Sequence, residues 1–171
     1  MRKKRLMVAH QKKTKKKRRM SDYDKCLASA QRSLAMREHS KYQIKNKLIN
    51  KGFEKSIVTD VLQELNDSGY QSDQRYTTEY IRYRQNIGYG VKKIIYELKS
   101  NGISSEIINN NLSSFNDDYE VLLELANAKI TEKNLKDQKI LMKYVNHFKS
   151  RGFEDNIILK VINNIKQNEI Q

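Results

Sequence analysis

Proline and tryptophan are absent from this 171-residue chain, and cysteine occurs once. Average usage would supply roughly 5% proline, about eight or nine residues. With none, and with only six glycines, a β-rich fold full of tight turns is excluded in favour of helices with short connections. Cys26 has no second cysteine to pair with, so a disulfide scaffold is excluded too. Its expected role is that of a small apolar side chain on the first helix. His10, His39 and His147 lie far apart without partners at ligand spacing, so no metal site is expected. No apolar run approaches the roughly 18 residues of a membrane helix. No Gly-rich phosphate loop, nucleophile elbow or paired-histidine helix occurs, so neither catalysis nor a cofactor is expected.

Charge is abundant but unevenly placed. Residues 1–20 carry Arg2, Lys3, Lys4, Arg5, Lys12, Lys13, Lys15, Lys16, Lys17, Arg18 and Arg19, and no acid. The other 151 residues hold 23 cations against 20 acids, so a nearly neutral body follows a basic tail. The tail is no signal peptide: its apolar run, Leu6 to Ala9, is too short, and more cations follow it. A cytoplasmic location is therefore expected. A block of like charges cannot bury itself and is expected to be disordered. It is suited to nonspecific contact with DNA phosphates, chiefly through Lys12, Lys13, Lys15, Lys16, Lys17, Arg18 and Arg19.

The body contains a repeat. Leu48-Ile49-Asn50-Lys51-Gly52-Phe53-Glu54, Leu98-Lys99-Ser100-Asn101-Gly102-Ile103-Ser104 and Phe148-Lys149-Ser150-Arg151-Gly152-Phe153-Glu154 align without gaps. The glycines fall at 52, 102 and 152, a period of 50. Each follows a helix-period stretch, where glycine can take the left-handed conformation that ends a helix. The apolar residue after it can fold back on that helix. Glu54, Ser104 and Glu154 then suit the start of the next, whose apolar positions recur at three and four.

Upstream of each glycine turn the periodicity predicts one more helix, over about 22–37, 73–86 and 118–129. Cys26, Leu27, Ala30 and Leu34 form the inward stripe of the first; Tyr119, Leu122, Leu123, Leu125 and Ala126 that of the third. In the middle helix Tyr76 and Tyr80 are expected in the core. Ser40 and Ser72 are candidate N-caps, and Asp117-Asp118 marks a helix start. Gly88-Tyr89-Gly90 follows a helix rather than a strand, so it is a helix stop and restart and not a nucleotide loop. The expected fold is all-α: a tail over 1–20, then three tandem three-helix bundles over 21–70, 71–115 and 116–171, in an elongated, curved arrangement. Units this small support one another through neighbour contacts. No heptad seam indicates an obligate dimer, and a monomer is expected.

Helix, glycine turn and helix together resemble a DNA-reading helix-turn-helix. The last helices, however, start with Glu54, Ser104-Ser105-Glu106 and Glu154-Asp155, and phosphates repel carboxylates. The cation excess is largest in the middle unit, where Arg75, Arg82, Arg84, Lys92 and Lys93 face Asp73, Glu79 and Glu97; the first and third units run 8 cations to 7 acids and 9 to 9. These five are the candidate partner-binding residues.

The stretch Ser68-Gly69-Tyr70-Gln71-Ser72-Asp73-Gln74-Arg75-Tyr76 resembles the Gly-Tyr-Leu-(Asn/Asp)-Asp-x-Arg-(Phe/Tyr) motif of the RecX regulatory proteins. Gln71 and Ser72 depart from its usual Leu and Asp/Asn. Arg37-Glu38-His39-Ser40 and Lys47-Leu48-Ile49-Asn50-Lys51-Gly52-Phe53 are similar to the family's first repeat. Arg84, Gly88, Gly90, Ile94, Glu97-Leu98 and Gly102-Ile103 are similar to its second, and Lys149-Ser150-Arg151-Gly152-Phe153 carries the third. The likeness covers about residues 22–167, without the tail. It implies a non-catalytic modulator that binds along the RecA–DNA filament and blocks filament growth, ATP hydrolysis and strand exchange. The other expectation, from composition alone, is a nonspecific DNA-binding protein acting through its tail.

Overall fold

In a computed structural model of the chain, residues 20–168 form ten α-helices and a single 3₁₀ turn, with no strand among these described residues. The basic tail expected over 1–20 falls, but for Met20, outside the described residues. Helices α1 (Asp22–Leu34), α2 (Lys41–Asn50) and α3 (Lys55–Asp67) enclose one cluster of Cys26, Ala30, Ile44, Leu48, Val58 and Leu62, among others. Helices α4 (Asp73–Asn86), α5 (Val91–Ser100) and α6 (Ser105–Asn110), with the 3₁₀ turn Leu112–Ser114, enclose a second around Tyr76, Ile81, Ile94 and Leu98. Helices α7 (Asp118–Asn127), α8 (Glu132–Lys136), α9 (Gln138–Ser150) and α10 (Asp155–Asn168) enclose a third around Leu122, Phe148, Ile158 and Val161. Three separate cores, each built from consecutive helices, fit a tandem helical repeat.

Local sequence sets the helix boundaries. The hydroxyls of Ser40 and Ser72 accept from the backbone N–H groups of Gln43 and Arg75, at 3.1 and 3.3 Å. Gln43 also accepts from the Ser40 N–H, which completes a capping box. Such a cap stabilises a helix by about 1 kcal/mol. Asp117 caps α7 by accepting from the Tyr119 N–H at 2.7 Å. Gly52, Gly102 and Gly152 all have positive φ, at 85°, 78° and 92°. At each turn the next residue's N–H (Phe53, Ile103, Phe153) reaches back five residues, to Leu48, Leu98 and Phe148. These bonds satisfy carbonyls that the helix end leaves free.

Three expectations need correction. Helix α1 ends at Leu34 and not near Arg37, because the Arg37 carbonyl turns to the ring of His39 at 2.9 Å, and His39 is buried on the way into the Ser40 cap. Helix α7 ends at Asn127, two residues early, where the Ala126 carbonyl accepts from the N–H groups of Lys129 and Ile130 and Ile130 is drawn into the core. The third unit holds four helices: α9 runs 13 residues where α2 and α5 run 10. Short α8 packs Leu135 on this unit's core, and Asn134 reaches Tyr144 of α9.

Candidate partner-binding surface

Consecutive units meet at two joints with the same construction. In the first, α2 begins against the glycine turn of the second unit. The Ser40 hydroxyl donates to the Asn101 carbonyl at 2.8 Å, and the Lys41 N–H donates to the Asp73 carboxylate at 2.8 Å. In the second joint, 50 residues on, the Gly90 N–H donates to the Arg151 carbonyl at 3.0 Å and the Val91 N–H to the Asp118 carboxylate at 3.0 Å. Both aspartates open the first helix of the following unit, so one carboxylate at a helix start receives a free N–H from the preceding unit. Burial pushes the Asp118 carboxyl up despite that bond, and Asp117 and Glu154 push the same way.

The glycine turns are packed tightly here. A methyl added at Gly102 would sit 2.7 Å from Tyr42 Cβ. One at Gly152 would overlap Lys93 Cβ and lie 2.6 Å from its backbone nitrogen. A methyl at Gly52 would meet nothing within 4 Å.

The five candidate cations are dispersed over the middle unit. Arg82 is exposed, holding only Glu79 of its own helix at 2.6 Å. Lys92 is exposed, and Lys93 half-buried, on α5 at the second joint. The Lys93 ammonium lies 5.6 Å from the ring of exposed Tyr96. Arg75 is partly engaged: its Nε donates to Glu38 of the first unit at 2.8 Å and its Nη2 to the Tyr70 carbonyl at 3.0 Å.

Arg84 stands apart from that surface set. It is 15% exposed and bonded to Glu97 at 2.6 Å, with its guanidinium 3.5 Å from the centroid of the Tyr89 ring. The Tyr80 hydroxyl donates to the other Glu97 oxygen at 2.9 Å. Burial alone would lower the arginine's pKa, but the bond to Glu97 and its charge raise it. Arg84 thus ties α4 to α5. Tyr76 is buried as expected, and desolvation pushes its hydroxyl up to about 12. Tyr80 is only half-buried, and Tyr83 is exposed.

Sequence reading missed Lys149 and Arg151. Lys149 shares a groove of about 730 Å³ with Lys92, Lys93 and Tyr96, and pairs with Asp155 at 3.0 Å. Arg151 reaches back across the second joint and donates to the carbonyls of Ile87 and Gly88. Its guanidinium lies 4.7 Å from the Tyr89 ring centroid. The period of 50 held the signal: position 101 in the first joint is 151 in the second. The tail residues Lys12, Lys13, Lys15, Lys16, Lys17, Arg18 and Arg19 lie outside the described residues. Among the described residues, no group of three or more His, Cys, Asp or Glu could hold a metal ion, and no helix is long and apolar enough to cross a membrane.

Cores, glycine turns and joints together define an all-α helical repeat protein. Residues 26–65 match the family model described as the first three-helix domain of RecX, and residues 72–112 the second. The regulatory protein RecX of Legionella pneumophila strain Corby is 34% identical over 143 residues, 83% of this chain and 95% of that protein. That of Xanthomonas axonopodis pv. citri is 32% identical over 126 residues, 73% of this chain and 78% of that one. The crystal structure of RecX from Lactobacillus salivarius shares the fold, with TM-score 0.69 at 21% identity over 85% of this chain and 97% of that one. The chain belongs to the RecX family of regulatory proteins.

Proposed function

We propose that the protein binds the RecA–DNA filament in the cytoplasm and inhibits RecA recombinase, its ATP hydrolysis and its strand exchange, without catalysis of its own. Family membership supports the regulatory role. The observation that carries the binding mode is the pair of exposed cations, Arg82 and Lys92, on the unit whose cations most exceed its acids. These, with Lys93 and the free edge of Arg75, offer charge to RecA carboxylates or to filament phosphates. Three small units in series let weak contacts add up, because each bound unit raises the effective concentration of the next.

The test is RecA-catalysed ATP hydrolysis on single-stranded DNA, with and without the protein. Hydrolysis falling with added protein supports the reading, and an unchanged rate refutes it. The second reading, nonspecific binding of single- or double-stranded DNA through the tail, is favoured by eleven cations and no acid within 20 residues. A chain beginning at Met20 separates the two: it keeps inhibition under the first reading and loses all effect under the second.

A further inference from the structure

The two joints share their backbone contacts but differ in the side chains around them, and the difference opens a cleft. At the second joint Ile87, Gly88, Leu125 and Arg151 close on one another: Arg151 bonds both carbonyls, and Leu125 packs so tightly that a methyl on Gly88 would lie 2.9 Å from it. Their counterparts at the first joint are Arg37, Glu38, Tyr80 and Asn101. The first two and the last follow the period of 50, and Tyr80 follows from the matched aspartates Asp73 and Asp118. Here the same four residues do not close; they line a cleft of about 1020 Å³. Asn101 stands where Arg151 stands, and its short amide only accepts from Gln43 at 3.0 Å.

The unfilled place is suited to a guanidinium. Exposed Tyr83 and half-buried Tyr80 line it; Tyr80 is already stacked on Tyr76, so Tyr83 is the aromatic side chain left for a guanidinium, as Tyr89 is for Arg151. Glu38 Oε1 is taken by Arg75, but its Oε2 is buried with no hydrogen-bond partner. A buried carboxylate oxygen without a donor is costly, and a guanidinium edge supplies one. Arg37 and Arg75 are balanced at the cleft by Glu38 and Glu79, the latter held by Arg82. Two carboxylates at the rim disfavour a phosphate backbone. We infer that the cleft between the first two units receives an arginine side chain from an exposed segment of a partner protein, seated as Arg151 is seated at the second joint. This rests on the reading that the protein docks on another protein, and it adds a site distinct from Arg82 and Lys92.

The test uses the full ¹⁵N-labelled chain and two blocked tripeptides, acetyl-Gly-Arg-Gly-amide and its lysine counterpart. The arginine peptide is expected to shift amide signals around Glu38 and Tyr83, and to bind about tenfold tighter than the lysine peptide. Tyr83→Ala is expected to weaken it about fivefold. Asn101→Arg, which fills the cleft from within, should abolish the shifts with the helical signal intact and release RecA from inhibition. Lys92→Glu, outside the cleft lining, should leave peptide binding unchanged. Equal shifts by both peptides, or arginine binding that survives Asn101→Arg, would overturn the inference. So would full RecA inhibition by Asn101→Arg, or a cleft that shifts with oligo-dT and not with the peptide. Peptide binding that appears only after Arg18→Lys and Arg19→Lys would show the chain's own tail as occupant and overturn it as well. If wild-type protein binds the peptide but leaves RecA untouched, the cleft stands and the RecA reading falls.

Discussion

Replacing Gly152 with Ala, and Gly52 with Ala beside it, separates what the glycine does for its turn from what it does for the joint. Both residues have positive φ, 92° and 85°. A side chain in that region costs about 1–2 kcal/mol from the clash of Cβ with the following carbonyl. At Gly52 that is the whole cost, because the new methyl enters open space. At Gly152 the methyl meets Lys93 Cβ, with the Lys93 nitrogen and Cα at 2.6 and 3.0 Å. Backbone atoms of a helix cannot rotate aside, so the joint has to open, and such overpacking adds about 1–3 kcal/mol. The expected losses are therefore about 1–2 kcal/mol for Gly52→Ala and about 2–5 kcal/mol for Gly152→Ala. The latter is a large part of the roughly 5–15 kcal/mol that holds a typical domain. Urea unfolding followed by far-ultraviolet circular dichroism measures both. The Gly152 variant should also unfold over a broader range, because the third core loses its neighbour while the first two keep theirs. Equal losses at the two positions would refute the claim that the second joint, and not the turn alone, demands glycine.

Reversing Arg82 and Lys92 together to Glu should weaken inhibition of RecA-catalysed ATP hydrolysis while the helical spectrum stays unchanged; full inhibition by that variant would show those cations to be merely solvated. Glu97→Gln leaves the Arg84 cation without its counter-charge, and urea unfolding should show a loss of about 2 kcal/mol. Asp118→Asn keeps an acceptor for the Val91 N–H and sheds the charge. Because the folded carboxyl is raised, its cost is absent below the unfolded value near 3.8, grows as pH rises through the folded value, and is complete above it. The variant should thus equal or exceed the wild type in stability at pH 7, with the difference closing in acid. A chain starting at Met20 should lose the steep salt dependence of DNA affinity, which for roughly 6–10 phosphate contacts falls about 10³–10⁵-fold between 50 and 200 mM salt. Equal slopes for the two chains, measured across a salt series, would remove the tail as the DNA anchor.

Much of the fold was legible because its signals are local. The caps at Ser40 and Ser72 and the stop at each repeat glycine depend on residues within one or two turns. The α4 boundaries, Asp73 to Asn86, were read from periodicity and a cap alone. Where a boundary is set by a distant partner the reading slipped. The ends of α1 and α7 answer to burial of His39 and Ile130, and α8 packs Leu135 on the third core and reaches Tyr144 of α9.

The surface was less legible, since the side on which a residue falls depends on packing. Arg82 and Arg84 stand two apart on α4, nearly opposite around a helix of about 3.6 residues per turn. Composition counted them alike, yet one is 69% exposed and the other 15%. The sequence alone determined three helical units, their glycine turns and a basic tail, because capping, helical period and charge density act between near neighbours. Only the tertiary structure decided that Arg84 belongs to the interior, that Asp73 and Asp118 each take a helix N–H from the preceding unit, and that Arg151 fills one joint while Asn101 leaves the other open. Those outcomes depend on which surfaces meet across 13 to 64 residues of chain, and local propensity carries no term for that meeting.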